Sequence, residues 1–578
     1  MPKKKSEETV SLVQDGEASA RPRLHKLIIQ NFRSIGSKKV EIELDDVVVL
    51  VGPNNVGKSS ILRAYETVMS QGSKDGKLTI NDFPNGQVVP ENLPTIELHT
   101  IVYHDAPGDR WIQSTAEGEW LIREKWVWDS PNKDPKRQGF DVQKDDWDDQ
   151  VPWGAPNIAN SRRPLPHRID AFATPEKQAS EVTKIITSQL KDKISEIKSD
   201  PTQDKSDYEL VLEKIKDLQT KVVKATEDEI KVIEDEISDY LGKLFPNHKV
   251  KFDARPESDA HNTYQPFKSN ADLLMGTEDG YFSTIEHQGS GARRTLLWAT
   301  LKYLSEKNDK KGSRPHVLLL DEPEICLHPS AIREARSILY DLPSAGNWQV
   351  MITSHSPIFI DLSKDNTTIV RVFRDDSSEV KSTTLYRPER AQLDSDDKKN
   401  LKLMNICDPY VHEFFFGGRQ VIVEGDTEYT AFSMLKEMYP DEYNDVQIIR
   451  ARGKGIIPSV AKVLKQFSKS FFILHDTDTE LTSTDKNNPA WGMNKTILSL
   501  LDEEKQVNLV ACKTCFETAL FGEESKYEKP YNALIRIRQN TDVRDKVKAL
   551  LDYLIEKNGA TLPENCIHWT DLSQLSKS

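Results

Sequence analysis

An α/β fold with two successive parallel sheets is what this sequence predicts, and three observations carry the prediction. The stretches "VVVLVG" (47–52), "HVLLLDEPE" (316–324) and "QVMITSHSP" (349–357) are continuous apolar runs ending abruptly in polar residues. Strands covered on both faces read this way. The same texture returns in "RQVIVEGDTE" (419–428), "DVQIIRARGKG" (445–455) and "KSFFILHDTDTE" (469–480), alternating with helical segments. That is βαβ texture, hence a second sheet. Between the first runs, residues 175–245 change to apolar positions at helical spacing, so the first unit carries a helical insert.

With 578 residues, the chain exceeds one ordinary core and divides into units. Residues 1–22 start with "MPKKK" and lack an apolar signal region, so they are expected to be a disordered tail. The first lobe is expected over 23–174 and 246–390. It opens with "LHKLIIQNFRSIG" and "KKVEIEL", which alternate as half-buried strands do. "TIELHTIVYH" and "WLIREKWVW" continue a β-rich stretch, whose tryptophans read as packing rather than as a binding platform. In the insert, Val182, Ile186, Leu190, Ile194 and Ile197 precede the breaker Pro201, and Leu212, Ile215, Leu218 and Val222 follow it. A helical hairpin or small bundle fits; its narrow stripe either pairs with a second copy or packs on its own domain. Residues 391–414 read as a linker, and 415–578 as the second lobe.

Hydrophobic content is 37% and charged content 29%, a soluble balance without any run long enough to cross a bilayer. Five cysteines and no signal peptide point to the reducing cytoplasm. The net charge of -14 argues against coating nucleic acid through global charge, while leaving room for a local basic groove.

"GPNNVGKS" (52–59) follows a buried strand and precedes the helical "SSILRAYETVM". Gly52 and Gly57 let the backbone curl so that its N–H groups, with Asn54, Asn55 and Ser60 alongside, face phosphates at a helix N-terminus. Lys58 is placed to reach the β- and γ-phosphates of ATP and Ser59 to ligate Mg²⁺. Asp321 ends a buried strand, suited to the same metal ion; Glu322 is placed to polarise an attacking water. His355 ends a further strand within reach of a γ-phosphate, and "HQGSGARR" supplies Ser290 and Gly291 ahead of a helix. These pieces occur in the order of ATP-binding-cassette (ABC) ATPases: Walker A, signature, Walker B, switch histidine. The resemblance implies that Ser290 and Gly291 cap the ATP bound by a partner's Walker A, although "GSG" departs from LSGGQ. Asp82 in "INDFPNG" stands where a Q-loop residue would. The insert between Walker A and Walker B is similar to the SMC-like and RecF-like repair branch.

In the second lobe, Glu424 ends a strand, Gly425 turns, and Glu428 falls in the first helical turn. Asp476 and Asp478 end another strand; residues two apart in an extended segment face one side, so these carboxylates are expected to converge. Four carboxylates at one sheet edge would hold Mg²⁺ or Mn²⁺ and support phosphodiester cleavage. The set resembles the Toprim fold, a Rossmann-like parallel sheet. Glu517 in "CFETALFG" and Lys529 in "YEKPYNAL" resemble the further metal-binding acid and the lysine of OLD-family nucleases, the lysine stabilising charge on phosphate. "ARGKGI" lines the substrate path or is a plain turn. Cys512, Cys515, Cys566 and His568 could hold zinc, or the cysteines are simply buried.

An ABC-type ATPase with an inserted helical hairpin or bundle, followed by a Toprim domain, is the architecture of the OLD (overcoming lysogenisation defect) family, which the chain resembles from about Leu24 onward. The resemblance implies an ATP-regulated, metal-dependent DNA nuclease. It also implies a homo-oligomer, a dimer or tetramer, with no membrane partner, often in anti-phage defence. Some relatives act alone, others beside a helicase or a retron reverse transcriptase with its RNA–DNA. Two other classes stay open: an ATP-dependent sensor or scaffold whose Toprim part binds without cutting, and a strand-passage or primase-like enzyme. The latter lacks an evident tyrosine or zinc-ribbon module.

Overall fold

The computed structural model describes residues 22–103, 107–170, 282–306, 315–325, 329–345, 347–408, 411–482, 484–501, 506–523 and 527–576, together with residues 174, 177, 178, 180, 181, 210, 211, 214, 274–276 and 327. The expected tail, apart from Pro22, and nearly all of the expected helical insert lie outside the described residues.

The chain begins with β1 (Arg23–Gln30), β2 (Val40–Glu43) and β3 (Val47–Val51), followed by the helix Lys58–Met69. Then come β4 (Thr95–Val102), β5 (Gln113–Ser114), β6 (Trp120–Val127), β7 (Lys136–Asp141), β8 (Asp146–Asp148) and β9 (Leu165–Ile169). After the short pair β10 (Leu274–Gly276) and β11 (Phe282–Thr284) come the helix Ser290–Glu306, β12 (His316–Asp321), the helix Pro329–Asp341 and β13 (Trp348–Thr353). The strands β14 (Thr367–Arg374) and β15 (Val380–Tyr386) close this lobe. The second lobe holds β16 (Arg419–Val423), β17 (Val446–Arg450), β18 (Phe471–Asp476), β19 (Val507–Cys512) and β20 (Cys566–His568).

Besides the two-stranded pair β10-β11, three sheets organise these strands. The first is antiparallel, in the order β2-β1-β4-β6-β7-β8 with β5 on β6. The second runs β15-β14-β3-β13-β12-β9, parallel except for β15. The third runs β17-β16-β18-β19-β20, parallel except for β20. In both parallel sheets the strands end on one edge, where an open α/β sheet carries its ligands.

Side-chain alternation sorts the cores. Val48, Leu50, Leu319 and Val370 face the antiparallel sheet and the helix Lys58–Met69, with Trp126 and Trp128 fully buried there. Val47, Val49, Val51, Leu318 and Ile369 face the other way. That second core continues through Phe414 and Phe415 to Ile422, Ile449 and Ile473 of the third sheet, so the two lobes share it. Val421, Val423 and Leu474 point into a third core under the helices Asp426–Met438 and Thr541–Leu554. Residues 391–414, expected as a linker, carry the helix Ser395–Cys407, capped by Asp394, and its Leu401 and Met404 enter the shared core. Among the described residues no helix is long and apolar enough to cross a membrane.

Candidate functional site

The nucleotide-type cluster sits where β3, β12 and β13 end. The Gly52 backbone adopts φ +142°, and a Cβ there would collide with the Val372 carbonyl of β14; only glycine lets the loop pass so close to its neighbouring strand. Gly57 caps the helix Lys58–Met69 in a left-handed conformation, and Asn55 shares that conformation at φ +59°. Asn54 and Asn55 are exposed at the loop tip, while Ser60 is buried and lies 3.4 Å from Ser34 Oγ. Lys58 Nζ donates to the carbonyls of Gly52 (2.9 Å) and Pro53 (2.7 Å) and lies 3.0 Å from His355 Nε2. Burial lowers the affinity of both groups for a proton, and for His355 the Lys58 charge adds to it.

Ser59 Oγ donates to Asp321 Oδ1 at 2.9 Å, and Thr353 Oγ1 donates to the same oxygen at 2.6 Å. Glu322 takes the left-handed φ of +47° and reaches His355 Nε2 at 3.5 Å. Four expected residues from three segments thus meet around Lys58. Glu324, not singled out in the sequence, is a further member: it accepts from His355 N (2.7 Å) and Ser354 Oγ (3.0 Å). Burial raises its carboxyl above the usual range. Ser290 and Gly291 open the helix Ser290–Glu306, with Ser290 exposed. Asp82 is held by Arg33 Nε (2.8 Å) and the Thr79 backbone N–H (2.9 Å).

The carboxylate cluster sits where β16 and β18 end. Glu424 follows β16, and its Oε2 accepts from the Asp476 backbone N–H at 3.0 Å. Glu428 folds back to accept from Gly425 N at 3.1 Å, closing the first turn of its helix. Glu517, buried, accepts from Thr427 Oγ1 at 3.2 Å, and Lys529 Nζ lies 3.7 Å from it. Burial raises the Glu424 carboxyl. Burial, aided by Glu424 and Glu517, pushes Glu428 up to about 7. Asp476 stands well above its ordinary value, through burial and then the neighbouring Glu428 and Glu424 charges. Its Oδ1 is buried without a hydrogen-bond partner among the described residues. An oxygen-rich set that resists its own negative charge suits a hard divalent cation. Even so, among the described residues no three His, Cys, Asp or Glu side chains stand together at metal-holding distances. The carboxylates influence one another without closing into a cage.

An AAA ATPase domain family matches residues 23–104 and 155–360, spanning Lys58, Ser290, Asp321 and His355. The overcoming lysogenization defect protein-like TOPRIM domain matches residues 415–478, which hold Glu424, Glu428, Asp476 and Asp478. The OLD nuclease of Thermus scotoductus is 22% identical over 93% of this chain and 99% of its own length. The Old nuclease of Escherichia phage P2 is 24% identical over 79% of this chain and 77% of its own. The chain is a homologue of the OLD nucleases. The Endonuclease GajA of Bacillus cereus is 26% identical over 29% of this chain and 26% of its own length. Among solved structures, an SMC head bound to the C-winged helix domain of ScpA covers 64% of this chain and 99% of that one, at 17% identity and TM-score 0.36.

In this OLD nuclease homologue, Asp478 reaches the cluster by a route other than strand alternation. Its φ is +59°, so the extended geometry ends at Thr477, and its carboxylate pairs with Lys454 Nζ. Lys454, whose side chain is only 2% exposed, is a second residue, after Glu324, that the sequence reading did not single out. Its signal was a lysine between two glycines after β17, on the sheet edge that carries Glu424 and Asp476. The turn "ARGKGI" thus brings Lys454 to Asp478. The four zinc candidates do not converge. Cys512 and Cys566 face each other with sulfurs 3.7 Å apart, but Cys515 contacts Thr518 (3.1 Å) and His568 contacts Tyr553 (2.8 Å).

Proposed function

We propose that this protein is an ATP-regulated, divalent-metal-dependent DNA endonuclease or nickase that acts in anti-phage defence. The observation that carries the reading is the buried carboxylate edge formed by Glu424, Glu428 and Asp476, with an Asp476 Oδ1 unpartnered among the described residues. Those three, with Asp478 and Glu517, are the residues that would hold Mg²⁺ or Mn²⁺. Such an ion, when bound, polarises the phosphoryl oxygen and lowers the pKa of water. Lys454 orients Asp478, and Lys529 stands ready beside Glu517 to offset charge developing on a phosphate. The OLD nucleases named above support DNA as the substrate class.

In the first lobe, Lys58 is the donor for the ATP phosphates and Ser59 with Asp321 is the Mg²⁺ position. Glu322 orients water, and His355 senses the γ-phosphate. Exposure of Ser290 at a helix N-terminus supports its use by a second copy, so the proposed assembly is a homo-oligomer closed by ATP. A helicase or a retron reverse transcriptase with its RNA–DNA are the partner classes the family uses.

The test is nicking of supercoiled plasmid with Mg²⁺ or Mn²⁺, with ATP titrated, in wild type and Glu424→Ala. Cutting by wild type alone is expected, with a rate that changes with ATP. Equal cutting by both proteins removes the carboxylate edge as the active centre. No cutting with either metal, by protein taken from its native complex, favours a Toprim domain that binds without cleaving. A rate flat in ATP ends the regulatory part.

A further inference from the structure

Between the lobes, a cleft of ≈ 360 Å³ lies at the end of the third sheet opposite its carboxylates. The starts of β16 and β18 line it, with Leu554 to Glu556 on one side and Arg371 of β14 on the other. Arg371 pairs in register with Val51, the last residue before the Gly52 loop. Among the described residues its Nε is buried without a hydrogen-bond partner, and no carboxylate pairs with the guanidinium, which lies 5.7 Å from the Phe373 ring; the exposed Glu556 of the same cleft makes no ion pair with it. Gly417, at φ +124°, makes room for it: a Cβ there would stand 2.6 Å from Nη2. Lys469 lies exposed at the same cleft. The third cation, Arg419, is already paired with Asp445 at 2.7 Å.

A half-buried guanidinium without an acid is costly unless an anion completes it, and its planar fork matches phosphate oxygens two at a time. The volume falls in the range of small-molecule sites. The geometry points to a second ligand site, distinct from the Gly52 loop and the carboxylate edge, which takes a mononucleotide-sized phosphate ester between the lobes through Arg371 and Lys469. A ligand there would tie β14, the neighbour of the Gly52-loop strand, to the starts of β16 and β18. It would therefore register nucleotide at the joint between the ATPase-type and Toprim lobes. The inference stands whether or not the carboxylate edge cuts DNA.

The experiment uses the full chain carrying Lys58→Ala, which silences the first nucleotide site, with calorimetric titration of deoxyadenosine monophosphate and of inorganic phosphate. Binding of the nucleotide more tightly than phosphate is expected. Arg371→Gln should weaken it about tenfold or more, and the exposed Lys469→Ala about threefold. Lys469→Ala cannot fail through lost packing, and Arg371→Lys, with charge kept and the fork lost, should fall between wild type and Arg371→Gln. Absence of nucleotide binding overturns the site, as does affinity unchanged in both Arg371→Gln and Lys469→Ala. Binding no tighter than that of phosphate overturns the ester assignment. A loss seen only with a DNA duplex would make the cleft a backbone contact and would also overturn it.

Discussion

Gly52 gathers two constraints in one residue: a φ of +142° and a backbone carbonyl where a Cβ would sit. Gly52→Ala must therefore move the loop off β14. The expected outcome is loss of ATP binding and a fall in stability of about 1–3 kcal/mol, read by nucleotide titration and urea unfolding. Retention of ATP binding would show that the loop has another way past Val372. His412 gives a pH dependence. It is buried against Phe414 and Phe415, and burial pushes its pKa down to about 4, with Arg336 lowering it further and Asp361 opposing. The folded ring stays neutral where the unfolded chain takes a proton, below about pH 6.5. Its contribution is thus fully present above that pH and is lost as pH falls toward 4, at about 1.4 kcal/mol per pH unit. His412→Leu should flatten that part of the stability profile; an unchanged acid slope would assign it to other groups. The positions of Asp321, His355, Glu424 and Asp476 were legible because each interrupts an apolar strand at its end. Lys454 and Arg371 were not, because a glycine-flanked lysine reads as a turn and an arginine in a strand reads as solvent-facing. Only the meeting of sheets shows what surrounds them.

At the scale of elements, the antiparallel sheet depends on a buried charge cluster. Glu124 of β6 accepts from Arg137 of β7 (2.9 Å) and from Arg163 just before β9 (3.0 Å), with Glu124 and Arg163 side chains at most 1% exposed. Removing the acid leaves two guanidiniums buried without it. Glu124→Ala is expected to cost about 3–5 kcal/mol, read as a lowered urea midpoint, whereas exposed pairs such as Lys399–Asp396 should contribute little. A cost for Glu124→Ala below that of the exposed pair would contradict the buried-cluster account. The strands themselves were legible: alternation in "TIELHTIV" and the continuous run "VVVLV" map onto β4 and β3. Their partnership was not. Arg163 lies 39 residues beyond Glu124 in sequence, and no local pattern announces that their elements meet. Likewise the polar "DSDDKKN" stretch reads as a connection, yet its acids cap and begin the helix Ser395–Cys407.

At the scale of the whole molecule, the two lobes are joined by a continuous apolar core rather than tethered by a linker. Phe415 is fully buried at the joint, 6.4 Å from the Tyr386 ring of the first lobe and 5.4 Å from the Phe467 ring of the second. Beside it, the Arg387 backbone N–H donates to Gln466 Oε1 at 3.1 Å, a polar contact across the same boundary. Lobes so joined transmit strain, because a close-packed interior has few ways to absorb a displaced ring. They should also unfold together. Phe415→Ala leaves a cavity that neither lobe can fill alone and is expected to cost about 3–5 kcal/mol. Differential scanning calorimetry should show a single transition in the wild type and two in the variant, as each lobe keeps its own sheet and its private core. Cutting that still responds to ATP in a variant with separated transitions would mean that the signal between the Gly52 loop and the carboxylate edge travels through a second copy of the chain. Loss of the ATP response, with both basal activities kept, would place that signal in the shared core around Phe415.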